Sequence, residues 1–130
     1  MKNSSNNFIT LRKMGGFYQC FDNDSYILYY LFNYKITNKR CGFPHSSLSK
    51  VINNLESKKI SYKIIDEKTD DNTKDFKKLN NYNHYLKLGI DKYNLDTKKK
   101  SLEDKIREMP FTKIEKLYKM IEDYVNEWKI

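Results

Sequence analysis

Apolar and polar residues alternate in two short stretches near the start of the chain, at 8–11 and 17–21. Alternation with a period of two predicts β-strands that bury one face. Gly15 and Gly16 stand between the two stretches. Glycine tolerates positive φ, so this pair predicts a tight turn that joins the strands into a hairpin.

The residues after the hairpin predict a helix and then a second extended region. Asp22 and Asp24 offer side-chain oxygens that can cap an apolar helix over 25–32. A short strand is predicted at 34–37, and the Gly/Pro-punctuated stretch 41–44 is predicted as a loop or a strand end.

A second helix follows, with Ser46 or Ser47 as its N-cap, and a strand is predicted at 60–65. One face of this helix carries a continuous apolar stripe at positions i, i+3, i+4 and i+7. The residues of the stripe are Leu48, Val51, Ile52 and Leu55. This order of elements predicts an α/β chain of the α+β type, a small mixed sheet with packed helices.

The C-terminal half has helical periodicity. After a charged linker at 66–74, a helix is predicted at 76–93, broken near Gly89. Ser101 and Thr112 each begin a capping-box pattern, with an acidic residue three positions later.

The last segment, 112–130, is the most regular helix of the chain. Its apolar face contains Ile114, Leu117, Tyr118, Ile121, Tyr124, Val125 and Trp128. A continuous apolar face is stable only when it is covered. We therefore predict three regions, a disordered arm at 1–7, a mixed sheet at 8–67 and a helical extension at 68–130, with the C-terminal helices docking on the sheet.

The chain of 130 residues has a formal net charge of +8, which favours polyanionic partners such as nucleic acid. Abundant Lys, Asn, Ile and Tyr are also typical of AT-rich genomes, so codon usage is a second explanation for the lysines. Residues 1–67 contain ten Lys and Arg against five Asp and Glu, and residues 68–130 contain fifteen against twelve. The first half is thus the more basic relative to its acids.

The two cysteines, Cys20 and Cys41, show no metal-binding or redox spacing and fit a reducing compartment. The N-terminal residues are polar and no apolar run has the length of a membrane span. We expect a cytoplasmic protein associated with the nucleoid, or a nuclear one in a eukaryote, and no membrane partner.

Two motifs stand in the first half of the chain. Residues 13–21 read Lys-Met-Gly-Gly-Phe-Tyr-Gln-Cys-Phe, and residues 39–48 read Lys-Arg-Cys-Gly-Phe-Pro-His-Ser-Ser-Leu. Together they resemble the N-terminal mismatch-recognition domain of the MutS DNA mismatch-repair family, which has Gly-Asp-Phe-Tyr-Glu, then Thr-Lys-Arg, then Cys-Gly-Phe-Pro-Tyr-His-Ser-Leu. The likeness covers about residues 8–67 and implies that family's fold, although its long helix before the first strand has no counterpart here.

By this resemblance, Phe17 stands where the family carries a phenylalanine that wedges into duplex DNA at a mispair. An apolar wedge must unstack a base step, which costs least where the pair is already mismatched. The alternative is that Phe17 alternates with Gln19 and Phe21 on the core side of a strand. The two interpretations differ in whether Phe17 is exposed.

The sequence departs from the family at two positions beside this phenylalanine. Gln19 replaces a glutamate that, by resemblance, hydrogen-bonds the displaced base and repels phosphate. An amide can keep the hydrogen bond but not the repulsion. Gly16 replaces the family's aspartate in the turn.

Several cations are candidates for contacts with phosphate, which would position DNA without specifying its sequence. They are Arg12, Lys13, Lys39, Arg40 and Lys50. For any single one of them, an ordinary solvated side chain is the alternative.

Enzyme signatures are absent from the sequence. No P-loop motif is present, and neither His45 nor His84 has a partner at catalytic spacing. We predict no catalytic residue, cofactor or metal. The sequence favours a stand-alone relative of the mismatch-recognition domain, without an ATPase, that binds double-stranded DNA and prefers mismatched, bulged or bent duplex. The alternative is a protein–protein adaptor or decoy that contacts other repair proteins and keeps the fold without binding DNA.

Overall fold

A computed structural model, which describes residues 7–68 and 72–129, centres on a five-stranded mixed sheet with the order β3-β2-β1-β4-β5. The strands β1 and β4 are parallel, and the other three pairs are antiparallel. The strands are β1 (Ile9–Met14), β2 (Phe17–Phe21), β3 (Arg40–Pro44), β4 (Tyr62–Ile65) and β5 (Asn72–Lys74). The predicted arm at 1–7 lies outside the described residues except for Asn7, as do residues 69–71 of the predicted linker.

The described residues form four α-helices and, by compactness, two units, which are divided between Asn94 and Leu95. The helices are α1 (Asn23–Phe32), α2 (Leu48–Ser57), α3 (Tyr82–Arg107) and α4 (Phe111–Trp128). The α+β fold class is therefore confirmed. The first unit extends beyond residue 67 and includes β5 and the first half of α3.

One face of the sheet, here called the inner face, forms the core of the first unit. Strand residues on this face alternate with exposed ones and pack against apolar residues of α1 and α2. The strands contribute Ile9, Leu11, Tyr18, Cys20, Cys41, Phe43, Tyr62 and Ile64, and the helices contribute Ile27, Leu28, Val51 and Leu55. The predicted stripe of the second helix is thus confirmed as a core element.

The second extended region differs from the prediction. The strand predicted at 34–37 is wrong, because these residues make only an isolated bridge between Thr37 and Arg40. The Tyr34 ring instead stacks on Phe43, with ring centroids 5.7 Å apart. The stretch 41–44, predicted as a loop or strand end, belongs to β3, which pairs with β2 along its whole length.

Helix α3 is continuous over 26 residues, so the predicted break near Gly89 is wrong. A Cβ at Gly89 would lie 2.3 Å from the backbone oxygen of Tyr26 in α1. The glycine is therefore explained by close helix packing rather than by a helix end. Ser101 lies inside the same helix, so its predicted capping role is also wrong.

The predicted side-chain caps do not form. Helix α1 has no side-chain hydrogen bond at its N-cap residue Asp22, and α2 has none at Ser47. Helix α4 begins after Pro110, whose fixed φ suits a helix start, and not at a Thr112 cap.

Asp24 joins three elements instead of capping α1. Its Oδ2 accepts a hydrogen bond from the Thr10 N–H in β1 at 3.0 Å, and its Oδ1 accepts one from the Tyr82 hydroxyl of α3 at 2.5 Å. Burial raises the pKa of Asp24 to about 6, although both hydrogen bonds act in the opposite direction. The pKa of Tyr82 is raised as well, first by burial and then by the charge of Asp24, so its hydroxyl remains a donor.

The second unit contains the end of α3 and the whole of α4. No helix within the described ranges is both long enough and apolar enough to cross a bilayer. The second unit itself leaves the apolar face of α4 uncovered: Trp128 is 74% exposed and Tyr124 is 70% exposed. The docking of this face on the sheet stays a prediction.

The raised pKa of Asp24 predicts a specific pH dependence of folding stability. Because the folded-state pKa lies above the unfolded value of about 3.9, the folded state holds the proton more tightly. Stability contributed by protonated Asp24 is fully present below about pH 4 and is lost as pH rises through about 6. The loss should be on the order of 3 kcal/mol.

Urea unfolding of wild type and Asp24→Asn between pH 4 and pH 7 would measure this effect. As the pH rises from 4 to 7, the unfolding free energy of wild type should fall relative to that of Asp24→Asn. Asp91→Asn, which removes an exposed carboxylate, controls for the charge change. A constant difference between wild type and Asp24→Asn would contradict the prediction.

Candidate nucleic-acid interface

The face of the sheet opposite the core, here called the outer face, carries the predicted wedge residue. Side chains of directly paired strand residues point to the same side of a sheet, so the registers define rows across the outer face. The tip row contains Pro44, Phe17 and Met14, and the second row contains Gly42, Gln19, Arg12 and Ile65. Behind them, Arg40 pairs with Phe21 and Thr10 pairs with Lys63, and extension of the β1–β2 register brings these two pairs into a third row.

Phe17 begins β2 directly after the turn, at the tip of the β1–β2 hairpin. Its side chain is 52% exposed, and that of Met14, its partner on β1, is 47% exposed. The core side of β2 is occupied by Tyr18 and Cys20, so the alternative that Phe17 lies on the core side is wrong. The tip row therefore presents an apolar edge to solvent.

The turn that supports this tip depends on Gly15, which adopts a φ of 63°. Left-handed backbone of this kind is readily available to glycine. The Gly16 carbonyl also accepts a hydrogen bond from the His45 N–H at 2.9 Å. This bond links the end of β3 to the turn. Phe17 is therefore held by β1 on one side of β2 and by β3 on the other.

Gln19 lies one row behind Phe17, between Arg12 on β1 and Gly42 on β3. A Cβ at Gly42 would lie 3.1 Å from the Tyr18 backbone oxygen and 3.4 Å from the Gln19 Cγ, so the close approach of the β2 backbone favours glycine here. The Gln19 Oε1 atom is buried and has no hydrogen-bond partner in the described part of the chain. A buried acceptor without a hydrogen-bond partner carries a cost in free energy, and a donor that reached it would remove this cost.

Arg12 and Arg40 lie on the outer face and flank the central residues of β2. Arg12 is paired with Gln19 and Arg40 with Phe21, and both arginines are exposed. The outer-face positions of β1 to β4 carry three cations, Arg12, Arg40 and Lys63, and no carboxylate. This face is therefore suited to an anionic partner.

The other predicted cations are not in these rows. Lys13 faces the side of Tyr18, and its Nζ lies 3.7 Å from the Asp66 carboxylate. Lys39 is exposed in the turn before β3, where its backbone oxygen accepts a hydrogen bond from the Asp22 N–H. Lys50 lies on α2 with its Nζ 5.6 Å from the centroid of the Phe32 ring.

The sequence analysis missed two residues of the outer face, Met14 and Lys63. Met14 extends the apolar tip, and Lys63 lies beside Thr10 in the third row. The alternation within 60–65 was a signal that could have found Lys63, because it places residues 63 and 65 opposite the buried Tyr62 and Ile64.

Comparison with known proteins supports the resemblance seen in the two motifs. The family model of MutS domain I matches residues 1–92, which include both motifs and all five strands. No curated protein and no solved structure matches the chain. MutS domain I is a DNA-recognition domain of mismatch repair. Because the match covers well over half of the sequence, the chain belongs to the MutS domain I family.

Proposed function

We propose that the protein binds duplex DNA through the outer face of its sheet and prefers mismatched or distorted duplex because Phe17 enters the base stack. The observation that carries the proposal is the exposed Phe17 ring at the hairpin tip, on a face whose charges are all positive over β1 to β4. Binding of this kind uses no catalytic residue and needs no ATP.

The apolar tip supplies selectivity in this proposal. Phe17 and Met14 together present an edge that can replace a base-stacking contact. A paired and stacked base step resists insertion by a few kcal/mol, and a mispaired step resists less. The preference then follows from the deformability of the DNA rather than from contacts with base edges.

Gln19 supplies a polar contact beside the wedge. Its buried Oε1 is an acceptor without a partner in the described residues, two positions along the strand from Phe17. A base displaced by the ring offers N–H donors, and one of them would satisfy this oxygen. The amide carries no charge, so it does not repel the nearby phosphates.

Arg12 and Arg40 supply affinity that does not depend on the base pair. They lie in the rows behind the tip, where they can contact the backbone of a duplex whose base step receives Phe17. Lys39 precedes Arg40 in the chain and is exposed beside this row. Lys63 adds a fourth cation on the far side of β1. Contacts of this type neutralise phosphates and release counterions.

Phe17→Ala tests the wedge. We expect binding to a mismatched duplex to weaken by about 1–3 kcal/mol, the scale of one base–aromatic stack, and binding to the matched duplex to change little. Fluorescence anisotropy with the two duplexes measures both affinities. The melting temperature should remain near that of wild type, because the Phe17 ring is largely outside the core.

Phe21→Ala is the matched control, since Phe21 is exposed on the same face but lies two rows behind the tip. It should affect the two duplexes equally. An equal loss on both duplexes for Phe17→Ala would contradict the wedge. Absence of DNA binding by the wild-type protein would favour the adaptor alternative.

Gln19→Glu tests the role of the uncharged amide. A carboxylate at this position should weaken binding to the matched duplex by about 1 kcal/mol, the scale of one close charge repulsion in water. Selectivity for the mismatch should rise, because the displaced base can still donate to the carboxylate. Gln19→Met is the companion variant: it removes the acceptor without adding charge, and should weaken only mismatch binding. If both variants bind both duplexes like wild type, Gln19 does not contact DNA.

Replacing Arg12 and Arg40 together by Gln tests the basic rows. We expect affinity to fall alike for matched and mismatched duplex. The slope of log affinity against log salt should become shallower by about two units, or nearly one for each phosphate contact. The double variant Lys50→Gln with Lys58→Gln removes the same charge from α2 and its C-cap. It should leave the slope near that of wild type, and an equal change in both proteins would indicate that only net charge matters.

A further inference from the structure

The apolar face of α4 is continuous from one end of the helix to the other. Eight apolar side chains fall within an arc of about 140° at 3.6 residues per turn. They are Phe111, Ile114, Leu117, Tyr118, Ile121, Tyr124, Val125 and Trp128. Six of these eight are exposed, and the other two are only partly buried. An exposed stripe of this length indicates an interaction surface.

The charges of α4 are divided between its two halves. From Phe111 to Met120 the helix contains three lysines and one glutamate, whereas from Ile121 to Trp128 it contains three acidic residues and no cation. The cations are Lys113, Lys116 and Lys119, and the three acidic residues are Glu122, Asp123 and Glu127. This arrangement opposes the helix dipole, which favours acids at the N-terminus and cations at the C-terminus. Among the lysines of α4, only Lys119 has acidic residues at i±3 or i±4 spacing within the helix. Lys113, Lys116 and Glu127 have no oppositely charged neighbour at that spacing, so their charges are available to a partner.

A second copy of the helix in antiparallel orientation would complement these charges. With the two-fold axis near Met120, Lys113 of one copy lies opposite Glu127 of the other, on one side of the apolar stripe. On the other side of the helix, Lys119 lies at the level of Glu122 but about 150° from the centre of the stripe, so Lys113 and Glu127 are the closer pair. A parallel pair would place like charges together over the whole length, which is unfavourable.

The same axis also matches the apolar side chains. Phe111 then lies opposite Trp128, and Ile114 lies opposite Val125. Tyr118 and Ile121 meet at the centre. One axis thus satisfies both the charged and the apolar positions, as an isologous two-fold interface requires. The overlap covers all 18 residues of the helix, a length of about 27 Å.

We propose that α4 is a dimerisation surface that pairs two copies of this chain in antiparallel orientation about a two-fold axis near Met120. The occupant of the apolar face is a second copy because the helix is complementary in charge to itself when reversed. The proposal concerns α4 alone and does not depend on DNA binding by the outer face.

The oligomeric state of the full chain tests the proposal. Sedimentation equilibrium should give twice the mass of one chain at high protein concentration and a reversible approach to one chain on dilution. Ile121→Asp, at the centre of the stripe, should give a monomer at every concentration. Leu102→Asp, which makes the same change at an exposed residue of α3, should leave the dimer intact.

Charge reversal tests the antiparallel pairing and controls for misfolding. The double variant Lys113→Glu with Lys119→Glu makes both halves of α4 acidic, and Glu122→Lys with Glu127→Lys makes both halves net basic. Each variant alone should dimerise at least tenfold more weakly than wild type. An equimolar mixture should recover the mass of a dimer, since each acidic half then faces a basic one. Recovery on mixing also shows that both variants are folded.

Trp128 is the single tryptophan of the chain and reports which surface covers the stripe. If the chain dimerises, the fluorescence emission of Trp128 should shift to shorter wavelength as protein concentration rises, because the partner helix shields the ring from water. A monomer with Trp128 already shielded at all concentrations would indicate that α4 docks on its own chain, and would overturn the proposal. A monomer with Trp128 in water at all concentrations would overturn it in favour of a different partner protein. Failure of the charge variants to associate on mixing would also overturn it.

Discussion

The register of β2 is the constraint on which the rest of the first unit depends. This strand is paired on both sides, to β1 through Arg12↔Gln19 and to β3 through Cys20↔Cys41. A shift by one residue would turn Tyr18 and Cys20 out of the core and bury Phe17, Gln19 and Phe21 in their place. Core and candidate interface are thus two results of one alignment. The hydrogen bond from the His45 N–H to the Gly16 carbonyl fixes the register of β2 and β3 at the hairpin tip, where a shift would begin.

The sequence predicted the elements whose signal is local. The Gly15–Gly16 turn, the alternation in 17–21 and the stripe of α2 all have a period that the backbone imposes. Prediction from the sequence failed where a residue makes its contacts with a different element. Gly89 packs against α1, and Asp24 binds Thr10 and Tyr82 rather than its own helix. After α1, Tyr34 stacks on Phe43 and is not part of a strand. No period in the sequence marks contacts between residues of different elements.

The candidate site shows the same division. Family resemblance identified Phe17 and Gln19, and the alternation of the strands explains why both lie on one face. The cations carried no such information, because a surface lysine fits almost any element. Arg12 and Arg40 are on the outer face by strand parity, whereas Lys13 faces Asp66 and Lys50 packs over the Phe32 ring. Sorting these side chains required the registers, which depend on long-range pairing that composition and charge counts do not contain.

The two surfaces proposed for binding differ in their physical basis. The outer face combines the exposed Phe17 and Phe21 rings and Met14 with three cations, so its affinity for DNA should fall steeply with salt. The apolar face of α4 derives its affinity from burial, and its lysines and acids balance one another in a reversed pair, so salt should affect it much less. Moderate salt would then release DNA while two chains remain associated. A dimer also holds two outer faces together, and when both can engage one DNA molecule the second contact is intramolecular. Two outer faces engaged on one DNA molecule would therefore bind more tightly than one outer face alone.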